Sequence, residues 1–253
     1  FVNNMFLRSF EINRKSLVAD IVLQDYRTAD VFRRHGIGYC CGGKWPMDIA
    51  CEMRGIDAEK LQAELEAATR TLQISTRLDF ANWDIEFLLD YIINIHHRYL
   101  RTTLKETEQV LHEFTEEHIK KFPYLAELEN KFALLTKQLL PAVQQEEEVI
   151  FPYIRQLAHA HKHKEPYAAL FIRTLRKPVE AAMFKGHGII VNIISSIRKL
   201  TDTYNSPENA CVSHKVVLAK LKELDNDLAQ HLYLEQSVLF PRAIAIEKEL
   251  LNE

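Results

Sequence analysis

The chain has few glycines, few cysteines and almost no charge imbalance, and each shortage excludes a class of protein. Seven glycines in 253 residues, with little strict apolar alternation, exclude a turn-rich β architecture and predict an all-α protein. Four cysteines, at positions 40, 41, 51 and 211, are too few for a disulfide scaffold in a chain this long. Adjacent cysteines sit only about 3.8 Å apart at Cα, below the usual disulfide span. A Cys40–Cys41 bond is therefore strained and easily reduced, and a reducing cytoplasmic setting is expected. The net charge of −3, from 32 basic and 35 acidic residues, gives no footprint for nucleic acid or an anionic membrane. No run approaches the ~20 apolar residues of a membrane span. The opening "FVNNMFLRSFEINRK" has neither the apolar run nor the cleavage site of a signal peptide.

What is present is apolar residues at helical spacing. Three short helices are expected first: one after Ser16 as N-cap, one from Thr28 to a C-cap at Gly36, and one between Pro46 and Gly55. A fourth opens at Asp57. A polar joint near 73–82 precedes four long segments, roughly 84–114, 124–161, 167–204 and 212–251. The expected division is a small helical domain over 1–75, a linker over 76–83, and an up-down four-helix bundle over 84–253.

An internal repeat runs through the bundle. "EEEVIFP" (146–152) echoes "EQSVLFP" (235–241), with Glu146 and Glu235 at the same distance before Phe-Pro. His97 precedes Glu146 by 49 residues and His187 precedes Glu235 by 48. Each half thus reads as a helical hairpin with a histidine on one helix and a glutamate on the next. His231 and Glu235 are i, i+4 and share a helix face. Carboxylates and imidazoles facing a bundle core are costly unless compensated, and a metal compensates them well. This mix of nitrogen and oxygen donors suits iron or manganese. The repeat places His97, Glu146, His187, His231 and Glu235 as ligands. The slot equivalent to His231 in the first half holds Ala142. His96 and His118 are the substitute or supporting candidates. The "GHG" around His187 suggests a helix distortion or a close backbone approach. Cys51 and Cys211 read as core residues.

The segment "VFRRHGIGYCCGGKWPMDIACEMRGID" (31–57) resembles the N-terminal domain of the repair-of-iron-centres family. "HHRYLRTTL", "EEEVIFP", "LTDTYNSPENAC" and "DLAQHLYLEQSVLFPRA" resemble that family's hemerythrin-like domain. The resemblance implies a non-haem di-iron protein that mends iron–sulfur clusters damaged by nitric oxide or oxidative stress. It would act by iron delivery or nitric oxide chemistry, with damaged iron–sulfur proteins as partners and a homodimer as the assembly. It carries the iron ligands onto His97, Glu146, His187, His231 and Glu235, puts Ala142 where the family has a further histidine, and makes Cys40 and Cys41 redox thiols. The alternative readings are a hemerythrin-like module that binds oxygen or nitric oxide, or stores iron, without turnover, and a metal-depleted relative emptied by Ala142.

Overall fold

The computed structural model describes residues 7–8, 12–40, 43–69, 71–72, 78–175, 179 and 187–252. They form two compact units: Phe1–Leu78 with Tyr204–Lys220, and Asp79–Thr203 with Leu221–Glu253. Among the described residues no helix is long and apolar enough to cross a membrane.

The first unit holds α1 (Val18–Gln24), α2 (Thr28–Arg34), α3 (Met47–Arg54) and α4 (Ala58–Thr69). A two-residue antiparallel pair, Leu7–Arg8 with Thr71–Leu72, is its only sheet among the described residues. The helix ends follow local chemistry. Gly36 and Gly55 take φ of +66° and +65° just past α2 and α3, where an L side chain is strained. The Asp57 carboxylate accepts the backbone N–H groups of Glu59 and Lys60 and so caps α4. Ser16 does not cap α1, since Leu17 holds the N-cap position. The Ser16 carbonyl instead accepts the Met47 N–H at 3.0 Å and ties α1 to α3.

The core of this unit is built from Val18, Ile21, Phe32, Met47, Cys51, Leu61 and Leu65. Val216, far along the chain, joins that core and packs with the N-terminal helices. Lys220, almost fully buried, donates to Asp30 of α2 at 2.5 Å. The segment 204–220, which sequence periodicity alone assigns to the bundle, therefore packs with the small helices.

The second unit is a bundle of four long helical runs. The first is α5 (Ile85–Tyr91), a π-helical segment Ile92–His97 and α6 (Arg98–His118). The second is α7 (Tyr124–Gln145), a π segment Glu146–Ile150 and α8 (Phe151–His163). The described parts of the third are α9 (Ala168–Leu175) and α10 (His187–Leu200). The fourth is the part of α11 (Val212–Tyr233) from Leu221 onward, a π segment Leu234–Leu239 and α12 (Phe240–Asn252). α7 packs against α6 and α10, and α8 packs against α5 and α12. Their apolar faces meet at Leu88, Leu89, Ile92, Ile154, Leu234 and Leu239. The fold is all-α.

Phe-Pro does not end the second and fourth runs. Proline inside a helix removes one hydrogen bond and crowds the carbonyl four residues back. Here each Phe-Pro follows a π segment, whose wider turn relieves that conflict, and the chain continues as helix through Pro152 and Pro241.

Candidate metal centre

The three π segments carry His96, His97, Glu146 and Glu235. A π turn holds an extra residue and changes the direction of side chains relative to the α-helix on either side. His97, Glu146, His231 and Glu235 converge, each offering one ligand atom, with all four atoms within 4.8 Å of one another. All four residues are buried. His97 Nε2 lies 3.1 Å from His231 Nε2, 3.5 Å from Glu146 Oε2 and 3.7 Å from Glu235 Oε1. His231 Nε2 lies 3.0 Å from Glu235 Oε1.

Two imidazole nitrogens aimed at each other across 3.1 Å need a shared proton or a cation between them. Two buried carboxylates at the same point add negative charge to a space with little water to screen it. Burial by itself disfavours the His231 cation, but Glu235, then Glu146 and Asp227, outweigh it and raise its pKa above the ordinary imidazole value. The field at this point favours positive charge, and the donor set is one that a divalent metal ion fits.

The remaining nitrogens and rings are held from behind. Glu147 Oε1 sits 2.9 Å from His97 Nδ1, and Arg101 clamps the same carboxylate with contacts of 2.9 and 2.8 Å. Burial opposes ionisation of Glu147, but Arg101 and His97 together bring its pKa below the usual carboxylate range. Neighbouring Glu146 and Glu147 thus meet opposite nitrogens of one imidazole. Phe151 stacks on His97 at 5.3 Å between ring centres. His96 stacks on His231 at 5.7 Å and is oriented by Asp227 Oδ1, 2.9 Å from its Nδ1. Such outer contacts fix tautomer and ring direction at metal sites.

Of the five predicted ligands, four are brought together. His187 opens α10, and its side chain lies outside the described residues. Gly188 has nothing within 4 Å of the place a Cβ would occupy, so close backbone approach does not explain this glycine. Ala142 lies one turn before Glu146, and its carbonyl accepts the Glu146 N–H. His118 is no substitute ligand: its ring stacks on Phe114, with Nδ1 3.1 Å from the Phe114 carbonyl. His96 supports the site from outside the four-residue group. Sequence reasoning missed Glu147, Arg101 and Asp227 as supporting residues. Asp227 had a signal, since Asp227, His231 and Glu235 recur every four residues on one helix face.

Cys40 is half-buried and Cys51 is buried in the small unit's core, where burial raises its pKa. Cys41 and Gly42 lie outside the described residues. Gly43 has a steric reason: a Cβ there would meet the Tyr39 carbonyl oxygen at 2.4 Å. Cys211 is not a core residue but half-buried beside Cys40.

Comparison with known proteins matches both parts of the chain. Residues 14–69 match ScdA_N, described as a domain of unknown function (DUF542). Residues 88–243 match the hemerythrin HHE cation binding domain. The iron-sulfur cluster repair protein ScdA of Staphylococcus haemolyticus is 26% identical over 90% of this chain and 98% of its own length. ScdA of Staphylococcus epidermidis is 27% identical over 91% and 99%. The iron-sulfur cluster repair protein YtfE of Escherichia coli is 26% identical over 92% and 99%. The hemerythrin match spans more than half of the chain and contains every residue of the buried histidine–glutamate group: the chain belongs to the hemerythrin HHE cation binding domain family, with a DUF542 domain preceding it.

Proposed function

We propose that this protein is a non-haem iron protein that takes part in the repair of damaged iron–sulfur clusters. The observation that carries the reading is the buried convergence of His97, Glu146, His231 and Glu235. Support for the process comes from relatives of nearly the same length that are named iron-sulfur cluster repair proteins.

In this reading His97, His231 and His187 would supply nitrogen donors to iron, and Glu146 and Glu235 would supply anionic oxygens. Glu147 and Asp227 orient His97 and, through His96, the ring of His231. Phe151 excludes water from one face of His97. Iron held there would supply a one-electron couple for chemistry with nitric oxide or an oxygen species, and would also be the cargo for a damaged cluster. Ala142 offers no imidazole to the first-half ligands, so these would hold iron the more weakly. Cys40 and Cys41 act as redox thiols toward the client, and the protein works as a cytoplasmic homodimer.

The test is anaerobic ferrous titration of the full chain and of Glu235→Gln. The wild type should bind iron stoichiometrically, with a charge-transfer band after oxidation. The variant, which loses a buried anion, should bind at least tenfold more weakly and lose that band. Equal iron content and equal spectra in the two proteins would remove the basis of the proposal.

A further inference from the structure

Cys211 directly precedes α11, and its carbonyl accepts the Lys215 N–H that begins the helix. Its sulfur accepts the backbone N–H groups of Ser213 and His214, as an N-cap side chain does. The same sulfur is hydrogen-bonded to Cys40. Both thiols belong to one compact unit and both are half-buried, so small reagents can reach them. Described residues on either side of Cys40 are held by backbone hydrogen bonds. The Ile37 N–H bonds to the Phe32 carbonyl at 2.9 Å, and the Gly43 carbonyl accepts the Ala19 N–H at 3.1 Å. The helix start that carries Cys211 is anchored as well, by Val216 in the small unit's core and by Lys220 on Asp30. Two thiols in contact on two fixed supports form a preorganised pair.

We infer that Cys40 and Cys211 are a redox site that closes reversibly to a disulfide under hydroperoxide. The adjacent Cys41 cannot serve this purpose without strain, because neighbouring residues are too close for an ordinary disulfide. Cys40 sulfur attacks one peroxide oxygen, an S–O bond forms, the O–O bond breaks, and hydroxide leaves with the thiol proton as water. Cys211 sulfur then attacks Cys40 sulfur, the S–S bond forms, the S–O bond breaks, and a second water leaves. Two thiols and one hydrogen peroxide become one disulfide and two waters. Two molecules of a small thiol such as glutathione return the pair and become oxidised glutathione.

Burial and the neighbouring Cys40 raise the Cys211 pKa, so Cys211 keeps its proton and acts second. On reduction, the Ser213 and His214 N–H groups stabilise Cys211 as the leaving thiolate. While the bridge is closed, Cys40 is withdrawn from any other reaction. This inference does not depend on the metal reading, because neither thiol belongs to the histidine–glutamate group.

The experiment uses the full chain carrying Cys41→Ser, with a chelator present and hydrogen peroxide as oxidant. Thiol titration should fall from three per chain to one, leaving Cys51, with monomer mobility kept on a non-reducing gel. Non-reducing tryptic mapping should show peptide 35–44 joined to peptide 200–215, two hydrogens lighter than their sum. Glutathione should restore three thiols. Adding Cys211→Ser, or separately Cys40→Ser, should abolish the joined peptide, and both serve so that a folding failure in one leaves the other informative. Persistence of three thiols overturns the inference. So does Cys40 sulfinate without a joined peptide, or a bridge that appears only as a dimer.

Discussion

Replacing Ala142 with histidine tests the register of the first-half site, and its sign should depend on iron. Ala142 is half-buried, and its carbonyl bonds the Glu146 N–H, so it lies on the same helix face one turn earlier. Alanine to histidine in a helix costs about 0.5–0.7 kcal/mol of intrinsic propensity. Partial exposure means the ring need not be forced into a filled core. Without metal the variant should therefore melt about 1–3 °C below wild type, at the 2–4 °C per kcal/mol expected for this size. With saturating ferrous iron under anaerobic conditions, a tenfold gain in affinity adds about 1.4 kcal/mol to the folded state. That exceeds the propensity cost by about 0.7–0.9 kcal/mol, so the variant should then melt about 1–4 °C above wild type. Calorimetry with and without ferrous iron, beside iron analysis of the dialysed proteins, reads both effects. Equal destabilisation in the two conditions, with no gain in bound iron, would show that position 142 does not face the metal and that the repeat misleads there.

Two further outcomes concern charge. Lys220→Ala leaves Asp30 without its buried partner and should cost about 3 kcal/mol in urea unfolding, at the low end for such pairs because Arg33 remains 3.8 Å away. The apolar pair Lys220→Met with Asp30→Leu should lie within about 1 kcal/mol of wild type, and an equal loss in both would assign the effect to packing rather than charge. His112 bonds Glu129 at 2.6 Å, and this contact, with Glu116 nearby, raises its pKa above the ordinary imidazole value. A raised folded pKa gives stability that is fully present below the unfolded value of about 6.5 and is lost as pH rises through the folded one. NMR titration should show the His112 midpoint falling in Glu129→Gln, and an unmoved midpoint would reject the pairing.

Periodicity and the repeat made the chemistry of the bundle legible, because an i, i+4 pair such as His231 and Glu235 needs only local helix geometry to meet. His97 was legible through its spacing from Glu146, since nothing local separates it from His96, and both are buried. The difference lies in what each ring faces: His97 meets Glu146 and His231, whereas His96 turns to Asp227. The π segments were not legible, because one extra residue in a turn leaves apolar spacing almost unchanged. Two of the three had a trace in the sequence, the Phe-Pro that follows them, which also ends helices, and only tertiary packing distinguishes the two meanings. Cys211 was misread for a different reason. An apolar pattern identifies which face of a helix is buried, but not which distant segment covers its first turn. Val212 and Val216 continue the pattern of α11, yet the core they meet contains Phe32, Met47 and Leu65. The contact with Cys40 follows from that long-range packing. Neither thiol's neighbours in sequence encode it, and the two short helical blocks around them encode it only jointly.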